Sequence, residues 1–200
     1  MTLNEYNKIK NLNYREYCSY LQNKYGFAPG NYLTKNWNKN KRCTRTDEGL
    51  LIHHIFEDHA VMLSNPNDAK NSPYEWQEKE NLVCCNYLEH LLLHILICEN
   101  PAPNKNESQD VGVGGAVNFI IPLLNDYYSG WQPKAPWQYN CLNIIKNEQK
   151  VYFALIKRFK NILKNHPVYN EDSLYRSYNE LYGGWNSKKN FNLYLEIGLL

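Results

Sequence analysis

Histidine is the residue whose placement most constrains this chain. Five of its six histidines lie between positions 53 and 94 of a 200-residue sequence. His53 and His54 are adjacent, and three residues separate His90 from His94. Because residues four apart on a helix share a face, His90 and His94 can point at one ion. Two imidazoles make an incomplete site, so a third ligand must come from elsewhere, and the His53–His54 pair is the obvious donor.

The sequence around these histidines predicts a strand followed, after a long connection, by a helix. Residues 49–56 (Gly-Leu-Leu-Ile-His-His-Ile-Phe) suit a short strand, in which neighbouring side chains point to opposite sides. One histidine of the pair can therefore bind an ion while the other serves a different purpose. Residues 57–80 are polar, with turn signals, and predict a connection. Residues 81–98 predict a helix that is apolar almost all round, which we expect to be covered on most sides.

The periodicity of the remaining chain is mostly helical. We expect an amphipathic helix over residues 4–25, a loop over 29–46, a polar linker over 99–110 and further helices over 116–128, 140–165 and, as a pair broken at Gly183-Gly184, 175–200. Gly112, Gly114 and Gly115 are not followed by the Lys-Ser/Thr of a phosphate loop. They indicate a flexible lead-in to the helix that follows.

Three imidazoles with open water positions favour a borderline transition metal. Zn²⁺, Ni²⁺ and Mn²⁺ accept such ligands, whereas Mg²⁺ prefers oxygen ligands and would bind an all-histidine site poorly. We therefore expect one divalent ion, Zn, Mn, Ni or Mg, with a transition metal favoured.

Composition limits the partners. The formal net charge of +2 is too small to require a nucleic-acid partner, so any basic surface must be local. Such a strip precedes the predicted strand, interleaved with Tyr32 and Trp37, and could follow a phosphate backbone; its cations are Lys35, Lys39, Lys41, Arg42 and Arg45. An ordinary solvated loop explains the same residues.

Cysteine spacing and hydropathy exclude several other classes. No Cys-x-x-Cys pair occurs, so zinc ribbons and thioredoxin-like motifs are absent. The first residues lack a signal-peptide pattern, and no apolar run reaches the length of a membrane span. We expect a soluble, reduced, cytoplasmic protein without membrane contact. Its oligomeric state stays open, and a homodimer is compatible with the sequence.

Residues 47–97 resemble the HNH family of ββα-metal (His-Me finger) nucleases. Eight residues separate Asn81 from His90 and three separate His90 from His94, a spacing similar to that of colicin-type DNases. The runs Glu-Gly-Leu-Leu-Ile-His-His-Ile and Glu-Asn-Leu-Val-Cys-Cys-Asn-Tyr-Leu-Glu-His-Leu-Leu-Leu-His also resemble HNH proteins of AT-rich bacteria and their phages. The connection from His54 to Asn81 is longer than in compact members, and could hold a target-reading loop or mean that the second strand lies elsewhere.

The resemblance implies a role for each residue. His53, His90 and His94 would bind the metal, and His54 would be the general base that deprotonates the attacking water. Asn81 would fix the loop that orients His54, although in some branches it reaches the metal. The residues considered for supporting roles are Arg45 or Arg42 in stabilising the transition state, and Glu57 and Glu89 in hydrogen-bonding an imidazole.

The sequence thus predicts an α+β protein in which a ββα-metal motif is embedded among helices. We expect an N-terminal helix and basic loop over residues 1–46, a nuclease core over 47–100 and a helical region over 101–200 packed on it. The predicted function is a metal-dependent endonuclease, with DNA favoured over RNA and 5′-phosphate and 3′-hydroxyl ends. A phage, mobile-element or restriction role follows by analogy only.

Two alternatives remain open. One is a non-catalytic nucleic-acid-binding module with a structural metal, which would need a fourth protein ligand, such as Cys84, Cys85 or Glu57, to close the coordination sphere. The other is an RNase or toxin nuclease with the same centre. A metallopeptidase is disfavoured because Glu89 precedes His90, whereas the His-Glu-x-x-His motif holds its glutamate between the two histidines.

Overall fold

Helices and one small sheet make up the structure, a computed structural model that describes residues 1–106, 109–179 and 191–200. The strands are β1 (Leu51–His54) and β2 (Leu82–Cys85). The α-helices are α1 (Leu3–Ile9), α2 (Tyr14–Tyr25), α3 (Pro66–Ala69), α4 (Tyr87–Glu99), α5 (Val113–Gly115), α6 (Ile121–Tyr128), α7 (Pro136–Asn143), α8 (Gln149–Leu163) and α9 (Phe191–Leu199). A π-helical stretch, Ala116–Ile120, joins α5 to α6.

The two strands and α4 form a continuous ββα unit. β1 and β2 pair antiparallel, with His53 opposite Val83 and His54 opposite Leu82. Asn86 then ends the strand and starts the helix, because its side chain accepts hydrogen bonds from the first turn while Glu89 bonds back to the Asn86 backbone. A single capping residue therefore joins β2 to the helix α4, and the pairing of β2 with β1 brings His53 beside that helix.

Helix α4 is the centre of the hydrophobic core. Its residues from Tyr87 to Ile97 are buried, apart from the half-buried His90. It packs against α2, α8 and the helical segment of residues 113–128, which confirms the predicted cover on most sides. The largest hydrophobic cluster contains residues from all three predicted regions of the chain. Helices around a small antiparallel sheet agree with the predicted α+β class.

Two predicted long helices are each divided in the structure. The predicted helix over 4–25 is wrong as one element, because Asn13 caps a new helix, α2, by a capping box with Glu16. The predicted helix over 140–165 ends as α7 at Asn143, and α8 begins at Gln149. Amphipathic periodicity continued across both breaks, so it did not mark them.

The ends of two other predicted helices also differ. Residues 82–85 are not the first turn of the helix predicted over 81–98 but strand β2, paired with β1. In the predicted pair over 175–200, Tyr175 ends a 3₁₀ turn, residues 176–179 are not helical and α9 covers only Phe191–Leu199. The predicted break at Gly183-Gly184 lies outside the described residues.

The predicted connections over 57–80 and 29–46 are largely confirmed, whereas residues 107 and 108 of the predicted linker over 99–110 lie outside the described residues. Residues 57–80 contain α3 and short 3₁₀ turns, and residues 29–46 have little regular structure.

All six cysteines are free thiols. Within the described ranges, no helix is both long and apolar enough to cross a membrane.

Candidate metal centre

Four side chains from β1, the turn after it and α4 converge on one point. His53, Glu57, His90 and His94 each offer a ligand atom, and these atoms all lie within 4.8 Å of one another. His53 is on β1, and the 3₁₀ turn Ile55–Asp58 brings Glu57 back beside it. His90 and His94 are one turn apart on α4, as their spacing predicted. The three predicted metal ligands are therefore brought together by the fold.

Several distances between these atoms are close to those between the ligands of a tetrahedral metal ion. Nε2 of His94 lies 3.3 Å from Nε2 of His90 and 3.6 Å from Oε2 of Glu57, which in turn lies 3.5 Å from Nδ1 of His53. Zinc–nitrogen and zinc–oxygen bonds of ~2.0–2.1 Å place tetrahedral ligands about 3.3 Å apart. The three separations are close to this value, and the four groups could hold a small divalent cation.

Hydrogen bonds behind the imidazoles fix which nitrogen faces this point. Nδ1 of His94 donates to the carbonyl oxygen of Gly112 at 2.8 Å, which leaves Nε2 without a proton. The Tyr14 hydroxyl donates to the Ile55 carbonyl at 2.9 Å, so it accepts from Nε2 of His53, also at 2.9 Å. Nδ1 of His53 is then a bare acceptor directed at the cluster. This is the arrangement that orients histidines toward metals.

Burial keeps the imidazoles neutral. It lowers the pKa of His53 to about 3, and it also lowers the pKa values of His90 and His94. Nδ1 of His53, which faces the cluster, is buried without a hydrogen-bond partner. Neutral imidazole nitrogens and a carboxylate oxygen thus face each other as acceptors. A cation among them would satisfy groups that otherwise lack a donor.

His54 lies beside the four-residue cluster rather than in it. Its Nε2 contacts Oε1 of Gln77 at 3.1 Å, and the Gln77 amide donates to the Leu63 carbonyl, so Nε2 of His54 carries the proton. Nδ1 is left as a buried acceptor, 3.7 Å from Oε1 of Glu57. One oxygen of Glu57 therefore faces the metal cluster and the other faces His54.

Glu57 and Glu89 differ from their predicted supporting roles. Glu57 is placed among the possible metal ligands themselves. Glu89 is wrong as an imidazole partner, because its carboxylate contacts Lys24 at 2.7 Å, Tyr25 at 3.1 Å and the Asn86 backbone at 2.8 Å. The physical reason is its position: one residue before His90, Glu89 serves as the capping-box acid and points to a different side of α4.

Asn81 forms two hydrogen bonds that hold the segment containing Gln77, within the connection between the two strands. Its side-chain amide donates to the carbonyl oxygen of Glu75 at 2.7 Å, and its backbone N–H donates to Glu78. Gln77 lies between these two contacts and reaches His54. Asn81 thus acts on the loop beside His54 and lies outside the metal cluster.

Two glycines pack closely around His94, and their sequence pattern does not indicate this role. A Cβ on Gly115 would lie 2.2 Å from Cε1 of His94, and a Cβ on Gly112 would lie 2.8 Å from the His94 carbonyl oxygen. Gly112 also has a positive φ of 83°, which other residues rarely adopt. The expectation of a merely flexible lead-in is therefore wrong: α5 and the residue before it pack against the ring.

The cluster opens into a cavity of about 820 Å³. Glu57, His90 and His94 line it, whereas His53 is fully buried behind them. Arg45 also lines the cavity and is held by Glu48 and by the carbonyl oxygen of Tyr25. The other cations of the predicted strip are all exposed: Lys35, Lys39, Lys41 and Arg42.

Comparisons of the chain with protein-family models, with curated proteins and with solved structures find no match. The centre is therefore defined by its own geometry: three imidazoles and one carboxylate that could hold a metal ion, at the floor of a cavity.

Proposed function

We propose that this chain is a metal-dependent nuclease of the HNH type that hydrolyses phosphodiester bonds. One observation carries the proposal: three neutral imidazoles and a carboxylate meet at metal-ligand spacing, on a ββα unit, where a cavity gives access. His53, Glu57, His90 and His94 would hold the ion. When bound, it would supply positive charge to the phosphoryl group and the leaving oxygen.

His54 is the proposed general base. Gln77 fixes its Nε2 as a donor, and this leaves the Nδ1 lone pair free to accept a proton from the attacking water. Asn81 would hold this arrangement through the connection that carries Gln77. Arg45, on the cavity wall, would place its guanidinium near the phosphate, and the exposed strip of Lys35, Lys39, Lys41 and Arg42 would contact the backbone beyond it.

The first experiment joins metal analysis to cleavage. Purified protein is assayed for bound metal and is then incubated with plasmid DNA, with single-stranded DNA and with RNA in Mn²⁺, Zn²⁺, Ni²⁺, Mg²⁺ or EDTA. We expect cleavage that EDTA abolishes, and DNA to be the better substrate. His54→Ala should abolish cleavage and keep the metal, whereas His90→Ala should lose both.

His166→Ala is the matched control, because His166 lies outside the cluster. It should keep both metal and activity. Cleavage that survives His54→Ala would remove the proposed base. A wild-type protein that holds metal but cleaves neither DNA nor RNA would contradict the proposal as a whole.

A second candidate follows from Glu57. Four protein ligands can close a tetrahedral sphere, as in structural zinc sites of non-catalytic nucleic-acid-binding modules. A closed structural site would make folding depend on the ion, so EDTA would cause a large fall in Tm and no cleavage would occur. Glu57→Gln separates the cases: a structural site should lose stability, whereas a catalytic site should stay folded and change its rate.

A further inference from the structure

The cavity in front of the metal cluster has walls that are aromatic and poor in charge. Among the described residues that line it, the side chains with a formal charge are Arg45, Glu57 and Asp110. Arg45 is the single cation among these described side chains, and it also forms an ion pair with Glu48. Binding a duplex depends on many cation–phosphate contacts, and this wall offers few. The wall is therefore better suited to a nucleic-acid ligand other than a duplex.

Large aromatic side chains stand exposed on the same wall. Phe119 is 56% exposed, and Trp137 and Tyr178 are each 46% exposed, although all three line the cavity. Because the three exposed rings line one cavity that also contains the candidate metal ligands, they offer a surface on which a flat ligand could stack. Unpaired nucleobases stack on aromatic rings with little dependence on sequence. Bases inside a duplex have no free face to offer.

The size of the cavity also favours unpaired nucleotides over a duplex. Its volume of about 820 Å³ is within the ~300–1,000 Å³ of pockets that enclose small molecules, and is suited to separate nucleotides rather than to a double helix.

The basic strip supplies the complementary charge outside the cavity. Tyr32 and residues 43–46 line the cavity, and the segment between them carries Lys35, Lys39, Lys41 and Arg42 at the surface. A strand with its bases in the cavity could therefore lay its phosphates along this strip. Proteins that bind single strands usually combine a positively charged groove with aromatic side chains on which the bases stack.

We propose that the cavity binds an unpaired nucleic-acid strand, with bases stacked on Trp137 and Phe119 and phosphates toward the Lys35–Arg42 strip. This inference rests on the proposed function for its cleavage step, but binding can be measured alone. DNA and RNA strands share the recognised chemistry, and the test distinguishes them.

The test measures binding by fluorescence anisotropy with the full-length protein, as purified and again in EDTA. The probes are labelled single-stranded DNA and RNA of about 12 nucleotides, within the usual site sizes, and the matching DNA duplex. We expect one single strand to bind at least about tenfold more tightly than the duplex. The preferred sugar identifies the substrate.

Two variants of α7 form the matched pair. Trp137→Ala should weaken single-strand binding about tenfold, the scale of one lost stacking contact. Tyr139→Ala removes an equally exposed ring on the same helix that does not line the cavity, and should leave binding unchanged. Trp137→Phe should restore most of the affinity, and circular dichroism checks that each variant is folded.

Three results would overturn the inference: duplex binding as tight as single-strand binding, equal behaviour of the Trp137→Ala and Tyr139→Ala variants, or competition by a free mononucleotide as strong as by the strand. Cleavage is scored separately. Single-strand binding without metal-dependent cleavage would contradict the proposed function and leave this inference standing. Cleavage of the duplex by a protein that does not bind single strands more tightly would support the proposed function and contradict this inference.

Discussion

Gly115 lies against the imidazole of His94 so closely that any side chain at position 115 would displace the ring. A Cβ there would come within 2.2 Å of Cε1 and 2.7 Å of Nδ1 of His94. The same Nδ1 donates to the Gly112 carbonyl, so the ring has little freedom to retreat. The position of His94 in the cluster thus depends on the absence of a side chain on a neighbouring segment.

Gly115→Ala should therefore weaken metal binding. We expect a loss of about 10–100-fold in affinity, the range seen when groups that orient a ligand are disturbed. The matched control is Gly114→Ala, because a Cβ on Gly114 would meet only Asn118 Nδ2, at 3.8 Å. Metal titration of both variants checks this. Equal affinities would show that His94 can move without cost.

Tyr14→Phe should weaken the metal site through His53. The change removes the acceptor for Nε2–H of His53 and leaves a buried donor unpaired, at a cost of ~1–3 kcal/mol in folding free energy. We expect lower metal affinity and lower stability together in titration and urea unfolding. Tyr17→Phe is the control, because the hydrogen bond that the described residues give the buried Tyr17 hydroxyl is a long one to the Met1 sulfur, at 3.9 Å. Similar losses in both variants would contradict the proposed role of Tyr14.

Without metal, stability should fall as the pH drops below about 6.5. Burial lowers the folded-state pKa of His53 to about 3, so between about 6.5 and 3 the unfolded chain binds more protons. The contribution is fully present above the unfolded pKa and is lost at up to about 1.4 kcal/mol per pH unit.

The pH prediction is measured by urea unfolding in EDTA at a series of pH values. His53→Gln keeps a neutral polar side chain but cannot gain a proton, so its stability should depend less steeply on pH over that range. Parallel curves for wild type and variant would contradict the assignment of the slope to His53.

Glu89→Gln should lower stability and leave the metal content unchanged. The Glu89 carboxylate is buried, and it accepts a charged hydrogen bond from Lys24 and bonds to the start of α4. Loss of the charge should cost about 1.5–3 kcal/mol in unfolding free energy. Metal analysis is the decisive second measurement. Loss of the ion in this variant would contradict the placement of Glu89 outside the metal cluster.

Local spacing predicted the centre of the site well. The i, i+4 relation of His90 and His94 and the apolar run ending in His53 both follow from short-range geometry, and the structure places these side chains together. The sequence leaves Glu57 as an imidazole partner or, in the structural-metal alternative, as a fourth ligand, because nothing in it predicts that the turn after the strand returns the carboxylate toward His53. The breaks within the predicted helices over 4–25 and 140–165 cannot be predicted from the periodicity, because the apolar pattern continues through them.

The groups that hold the imidazoles could not be read from sequence. Tyr14 is 39 residues from His53, and Gly112 is 18 residues from His94. No periodic pattern connects positions so far apart, and a glycine chosen for close approach looks the same in sequence as one chosen for a turn. Tertiary packing alone brings them to the rings.

The hydrogen bonds from Tyr14 and Gly112 have a consequence for any attempt to isolate the centre. All four candidate ligands fall inside residues 47–100, so a transplanted ββα cassette would carry every donor atom. It would leave behind both groups that dictate the imidazole tautomers, one on an N-terminal helix and one beyond the end of α4. Such a graft should bind ions more loosely than the full chain, because the groups that orient two of the three imidazoles lie outside it.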